Sequence, residues 1–305
     1  MAIDQPFLNM KNVLAILICF SIIGVKAQTN YDTVRIQPIK ITDQIYLLKG
    51  AGGNLGVLIG PEGTLLIDNQ FAPLSNKING AIKTLSPGEI RFAINTHLHG
   101  DHSGGNENFN KMGATLVAHD QVRNRMMKES FNARANRTFP PRDKAAWPHV
   151  TFADKLNFHL NEEDIVLHHF GRGHTDGDVI VQFVKANVLH TGDAFVRYGY
   201  PFVDLNSGGG MNGFIATLDK IISLADDNTR IIPGHGELAT KADVKKLRDQ
   251  MADIRDQIVA AIKKGKKTED IAAMGITDKY EAELGNGFVK GKDFVLMVAE
   301  DLRPK

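Results

Sequence analysis

Between His97 and His102, in the stretch Thr96-His97-Leu98-His99-Gly100-Asp101-His102, three imidazoles and one carboxylate fall within six residues. Imidazole and carboxylate donors together suit Zn²⁺ and its neighbours in the first transition row. A polar surface loop holding several histidines by chance is the alternative, but four ligand-type groups this close are costly to place without a cation. Just before the stretch, the apolar run 90–95 reads as a strand. Just after it, Ser103, Gly104 and Gly105 read as a turn leading into a helix. A strand end holds a loop at the edge of a sheet, where catalytic groups are commonly carried.

Three further segments share this form, a strand followed at once by glycine and a potential ligand. They are Gly173-His174-Thr175, Gly192-Asp193-Ala194 and Gly234-His235-Gly236. Taken singly, each also reads as a turn, because Gly and Asp favour turns for backbone reasons. Taken with the first motif, they are expected to converge on one sheet edge. His119, His149, His159, His168, His169 and His190 lack such a setting and read as structural or surface residues. The only cysteine, Cys19, lies in an apolar N-terminal segment. If that segment is removed, any metal site must be built from His and carboxylates.

The elements that must position these groups alternate between strand and helix patterns. From Tyr31 to Asp68 the pattern is β, with a hairpin connection at Gly60-Pro61-Glu62-Gly63 and Asp68 closing the last strand. A helix is expected over 73–85, starting with proline in its first turn. A short helix over 103–110, a strand over 114–118 and a helix over 119–129 follow. Residues 130–150, with three prolines and the only tryptophan, Trp147, read as a long excursion; such loops are often functional. Strands are expected over 155–160, 165–170, 179–184, 188–190 and 230–232. Residues 197–211 form a Gly- and aromatic-rich loop before a helix over 212–224. Val244, Leu247, Met251, Ile254, Ile258 and Ile262 put one apolar face on a long helix over 241–264. A last helix is expected near 293–301. The count fits a two-sheet core with helices outside, and no 20–50-residue repeat is visible.

The motif set, from Asp68 through the HxHxDH stretch to His235, resembles the metallo-β-lactamase superfamily in content and order. The resemblance implies an α/β layered fold, the αββα sandwich, with a metal site at one edge of the two sheets. It implies that His97, His99 and His174 hold one Zn²⁺, that Asp101, His102 and His235 hold a second, and that Asp193 bridges them. Asp68 would orient a ligand imidazole, as a metal-bound histidine needs an outer partner. Two such cations share a hydroxide that attacks a carbonyl carbon, and Asp101 would steer it as the catalytic carboxylate. The substrate implied is an amide, lactam, ester or thioester, with a β-lactam as first choice and a thioester or lactone as runner-up. Lactamases of the family tend to have Cys or Ser near the fourth motif, where this chain has Ala194. His99 stands where diiron oxidase branches carry Glu, which disfavours them. A mononuclear iron persulfide dioxygenase is the alternative of another class, so iron remains an alternative metal. Arg197 is a candidate for gripping a substrate carboxylate, and Tyr198, Tyr200 and Phe202 line the pocket or pack the loop. Gly208-x-Gly210-x-x-Gly213 spells a dinucleotide fingerprint, but no strand leads into it.

Apolar residues make up 43% and charged residues 23% of the 305-residue chain, as in an ordinary globular protein. The segment 13–25 is almost wholly apolar, follows Lys11 and Asn12, and ends in Val25-Lys26-Ala27. It reads as a secretory signal covering 1–27, cut after Ala27, with 28–305 as a single domain and an exported, periplasmic or secreted product. An uncleaved anchor is the alternative, but the run is short of the roughly 20 residues a membrane span needs. Met10 is an alternative start. Without residues 1–27 the balance is 34 basic to 34 acidic, which lacks the basic excess of a nucleic-acid binder. The expected partner is a small molecule.

Overall fold

A computed structural model describes residues 30–132 and 137–304. The expected signal segment lies outside the described residues. In chain order the first half runs β1 (Gln37–Lys40), β2 (Ile45–Lys49), β3 (Leu55–Leu58), β4 (Thr64–Ile67), α1 (Ser75–Leu85), β5 (Ile90–Ile94), α2 (Gly100–Ser103), α3 (Asn106–Lys111), β6 (Thr115–His119), α4 (Asp120–Met126), β7 (Ser130–Asn132), β8 (Arg137–Phe139) and β9 (Val150–Phe152). The second half runs β10 (Lys155–Leu160), β11 (Glu163–His168), β12 (Ile180–Phe183), β13 (Val188–His190), α5 (Met211–Leu224), β14 (Arg230–Ile232), α6 (Lys241–Lys263), α7 (Thr268–Ala272), α8 (Glu281–Leu284) and α9 (Gly291–Asp301).

Two sheets result. The first has the order β1-β2-β3-β4-β5-β6-β9 and the second β10-β11-β12-β13-β14, while β7 and β8 form a separate hairpin. Three apolar clusters mark the interfaces of four layers. Ile45, Leu47, Ile67, Ile94, Val117, Leu167, Val181 and Ile232 fill the space between the sheets. Leu48, Val57, Leu66, Ala93 and Leu116 face α1 through Ile78 and Ile82. Leu189 and Ile231 lie under α5, α6 and α9 through Phe214, Leu218, Met251, Ile254, Phe294 and Val298. Strands buried on both faces read as continuous apolar runs, as in β3 and β4, where every residue is buried. The arrangement is the α/β layered sandwich expected.

Strand direction places the loops that matter. β4, β5, β6 and β9 are parallel, as are β13 and β14. Their C-terminal ends carry Asp68, the 95–102 stretch, Gly192-Asp193 and Pro233-Gly234-His235 out of their sheets at one edge. β12 is antiparallel to β13, so the loop that enters it, with His174, emerges at the same edge. This is the usual place for a binding crevice beside parallel strands.

Several boundaries differ from expectation for local reasons. The first helix begins as a 3-10 turn at Ala72–Leu74, with proline inside it, before α1. The helix expected over 103–110 splits into α2 and α3, because α2 starts directly on the ligand stretch. His119 ends β6 and caps α4, its Nδ1 accepting from the Gln121 amide at 3.2 Å. The 130–150 excursion contains the β7–β8 pair and a 3-10 turn at Lys144–Ala146, and leads into β9 of the first sheet. The short α7 and α8, of five and four residues, are too brief to show a helical apolar period in the sequence. Among the described residues no helix is long and apolar enough to cross a membrane.

The layer between α5 and the second sheet is closely packed, so Leu218→Ala, at a fully buried position, is expected to cost about 2–5 kcal/mol. Urea denaturation of the two proteins measures it.

Candidate metal centre

The strand-end loops bring seven ligand-type side chains together. Donor atoms of His97, His99 and His174 lie within 4.8 Å of one another, as do those of His97, His102 and Asp193, and those of Asp101, His102 and His235. His99 Nδ1 is 3.1 Å from His97 Nε2 and 2.9 Å from His174 Nε2. His102 Nε2 is 3.2 Å from His235 Nε2. Asp193 stands between the groups, with Oδ1 3.2 Å from His102 Nε2 and 3.5 Å from His235 Nε2, and Oδ2 3.8 Å from His174 Nε2. Asp101 Oδ2 is 3.2 Å from His235 Nε2.

The outward nitrogens decide what the inward ones are. His102 Nδ1 donates to Asp68 Oδ2 at 2.7 Å, and His174 Nδ1 to the Phe202 carbonyl at 2.6 Å. His99 Nε2 donates to Asp204 Oδ2 at 2.9 Å. Thr96 Oγ1 gives its proton to Asp68 Oδ2 at 2.7 Å, so it accepts from His97 Nδ1 at 3.0 Å. His97, His99 and His174 therefore carry their proton on the outside and turn a lone pair inward, while His102 aims its Nε2 inward with its Nδ1 proton held by Asp68. Lone pairs facing one another at about 3 Å repel unless a cation or proton lies between them. Asp193 Oδ1 is also buried without a well-formed hydrogen bond. The donor set thus fits a cation in each group.

Electrostatics agree. Burial and the neighbouring imidazoles hold His97 well below the usual histidine range, and burial together with His99 lowers His174 to about 4. His102 goes the other way: against the burial that disfavours its charge, the carboxylates of Asp193, Asp68 and Asp101 push it well above the usual range. Burial would raise Asp101, but His102 and the hydrogen bond from His235 bring it to about 2.

Asp68 is the common support. Its Oδ1 accepts from the Thr96 amide at 2.7 Å, while its Oδ2 serves both Thr96 and His102. Its backbone sits at φ 59°, a left-handed conformation that Asp tolerates better than most residues. Behind the ligand stretch, Arg142 donates to the carbonyls of Leu98 at 2.9 Å and Ser103 at 3.1 Å. Asn54 ties the sheets together, its Nδ2 donating to the Pro233 and Gly236 carbonyls at 2.9 Å on either side of His235.

Not every expected residue reaches the centre. Tyr198 does, its ring 5.4 Å from His235. Tyr200 lies outside it: it is fully buried, stacks on Phe294 at 5.2 Å, and donates its hydroxyl to Glu281 at 3.0 Å. The two tyrosines diverge because Gly199 between them turns at φ 127°. Arg197 is engaged elsewhere, donating to the Leu238 carbonyl at 2.5 Å and pairing with Asp243 at 3.5 Å, which draws its guanidinium toward the start of α6. The glycine-rich stretch before α5 is no phosphate cradle, since the Met211 amide donates to the Asp301 carboxylate at 2.7 Å. Nothing in the linear sequence marks Asp204, Arg142 or Asn54 as part of the centre. Asp204 reads there only as a turn residue, and it does accept from the Asn206 and Ser207 amides; nothing linear ties it to His99.

Comparison with known proteins bears on the arrangement. The model of the metallo-beta-lactamase superfamily matches residues 49–235. The chain is 24% identical to "Metallo-beta-lactamase type 2" of Elizabethkingia meningoseptica over 61% of this chain and 72% of that protein. Among solved structures it resembles a metallo-beta-lactamase from Pontibacter korlensis at TM-score 0.60 and 17% identity, covering 72% of this chain and 100% of the other. It also resembles the sec-alkylsulfatase Pisa1 from Pseudomonas sp. at TM-score 0.69 and 14% identity, covering 88% of this chain and 50% of the other. At these identities the structural likenesses show the fold alone.

Asp68→Asn replaces one accepting oxygen with a donor amide that opposes Thr96 or His102. Zinc affinity is expected to fall about 10–100-fold, measured by competition with a chromophoric chelator. Zinc binding to metal-free protein at pH 7 is expected to release a proton from His102 Nε2, and affinity is expected to rise with pH as that proton leaves. Titration calorimetry in buffers of different ionisation enthalpy measures the release.

Proposed function

This chain belongs to the metallo-beta-lactamase superfamily, and from that membership and its ligand cluster we propose that it is an exported hydrolase that holds two Zn²⁺ ions and cleaves a small carbonyl substrate. The observation that carries the proposal is the inward convergence of seven donors, four of them imidazoles whose outer nitrogens are each committed to an acceptor. His97, His99 and His174 would hold one ion, Asp101, His102 and His235 the other, and Asp193 both. Bound zinc supplies Lewis acidity that polarises a carbonyl and lowers the pKa of a water to about 7.

The protein's own groups divide the remaining work. Hydrolysis adds the oxygen of water to the acyl carbon and returns a proton to the leaving nitrogen, oxygen or sulfur. Asp101, lowered to about 2, stays ionised at neutral pH and has no proton to give. Its role is to accept a hydrogen bond from the attacking water and orient it, and the leaving group takes its proton from solvent. Asp68, Thr96, Asp204 and the Phe202 carbonyl keep the imidazoles aimed, which fixes the donors without reorganisation during reaction.

A β-lactam is the first substrate to test, in keeping with what the relatives are called. Thioesters and lactones come next, because Ala194 follows Asp193. Export rests on the 13–25 apolar run and Ala27, with residues 28–305 as the mature domain.

A hydrolysis screen of the zinc-loaded protein should set penicillins and carbapenems beside thioesters, lactones and phosphodiesters, with metal analysis alongside. Two zinc ions per chain and carbonyl hydrolysis are expected; one iron per chain with oxygen consumption on a persulfide would replace the reading. Asp101→Ala is expected to lose about 100-fold or more in kcat, and both it and His99→Ala to lose metal. Wild-type hydrolysis with full metal content in either variant would make the assignment wrong.

A further inference from the structure

An aromatic ladder leads from the ligand cluster to solvent. The Phe202 ring lies 6.2 Å from the His99 ring and 6.1 Å from that of His174. Beyond it Phe288 meets Phe202 edge-on, with centroids 6.4 Å apart. Phe288 is 59% exposed. Its segment lies well beyond residues 49–235, the part matched by the family model, and nothing in the ligand motifs requires it.

That segment is held firmly against the 197–203 loop. The Tyr200 amide donates to the Leu284 carbonyl at 3.3 Å, and Tyr200 bridges Val289. A Cβ on Gly287 would stand 2.1 Å from the Tyr198 carbonyl oxygen, and one on Gly199 2.5 Å from the Leu284 carbonyl oxygen. The two backbones therefore touch, and only glycine permits it. Below them the buried Tyr200 is pinned by Thr277, Glu281 and Phe294. Phe288 is thus carried to the rim by packed structure. Among the described residues of the flanking segments, Arg197 is committed to Leu238 and Asp243, and Arg172 to the carbonyls of Gly208 and Gly209. Small-molecule sites are lined mainly by apolar and aromatic groups, with a few polar groups fixing the chemistry.

We propose that Phe202 and Phe288 form an apolar arm of the substrate site, and that the substrate carries an aryl or branched alkyl group on the side of its carbonyl that faces His99 and His174. The proposal rests on the hydrolase reading above. The apolar group displaces water from both rings, so binding gains from area removed from solvent.

The test uses paired acetyl and phenylacetyl derivatives of one polar leaving group, as thioester, ester and amide, with zinc-loaded protein. Wild-type protein is expected to favour the phenylacetyl member. Phe288→Ala is expected to lower the phenylacetyl-to-acetyl ratio of kcat/KM about tenfold, mainly through KM. Phe131→Ala, which removes an exposed ring on the separate hairpin, should leave the ratio unchanged. A second readout needs neither metal nor turnover. The fluorescence of an anilinonaphthalene dye bound to metal-free protein should fall in Phe288→Ala and in Phe202→Leu, which keeps the carbonyl that serves His174, but not in Phe131→Ala. If wild-type protein turns over no carbonyl substrate, the hydrolase reading fails and the dye alone decides whether the arm exists. If both members of each pair are cleaved equally and Phe288→Ala changes neither ratio nor dye, the arm is overturned while the hydrolase reading stands.

Discussion

Asp68 accepts three hydrogen bonds on two oxygens, and the centre depends on them. One arrives directly from His102 and two from Thr96, whose hydroxyl in turn orients His97. One carboxylate therefore sets the tautomers of imidazoles in both ligand groups. It does so from a left-handed backbone position at the end of β4, where its amide donates to the Ile94 carbonyl at 2.8 Å. Strain of this kind persists only where the surroundings over-determine it. Here β4 and β5 run parallel, so the ends of two neighbouring strands meet at this residue.

The ligand groups come from both sheets, and their register depends on cross-ties at the shared edge. The Val179 amide donates to the Thr96 carbonyl at 2.8 Å, joining the His174 loop to the first motif. The Asn54 amide donates to the Gly234 carbonyl at 2.7 Å, joining the β2–β3 turn to the His235 loop. A buried network of Asn69, Asn95 and Asn106 fastens α3 beneath the ligand stretch. Satisfied buried networks of this kind rigidify a site. Together with Arg142 they leave the donors little freedom to move apart, even though the facing lone pairs of His97, His99 and His174 favour separation.

The chain beyond His235 serves two purposes. The apolar face of α6 and the buried side of α9 complete the outer helical layer over the second sheet. The stretch between them carries Leu284, Gly287 and Phe288 against the 197–203 loop. The ligand cluster is thus set by strand ends, while the ring of Phe288 is carried by a helical region packed against the 197–203 loop. Such a division lets one ligand cluster serve different substrates, because specificity lives in segments that do not hold the donors.

How much of this was legible in the sequence follows from which properties are local. Imidazoles two and three residues apart at a strand end announce a metal whatever surrounds them, and a strand followed by Gly-His or Gly-Asp marks an element boundary. The layered fold, the long α6 and the convergence of His97, His99, Asp101, His102, His174, Asp193 and His235 could therefore be expected from spacing and from resemblance. Tertiary packing decided the rest. The evenly spaced Tyr198, Tyr200 and Phe202 look equivalent in sequence, yet the turn at Gly199 sends one to His235 and buries another against Phe294. Arg197 looks free to grip a substrate but is drawn to Leu238 and Asp243. Asp204 and Arg142 lie 105 and 44 residues from their partners His99 and Leu98. The sequence by itself determined the chemistry of the first ligand stretch, because ligand type and short spacing are properties of neighbours. Only the tertiary structure decided which nitrogen each imidazole presents and which aromatic rings lie beside the ligand cluster, because both are set by groups that meet only when two sheets and a distant helical segment close on one edge.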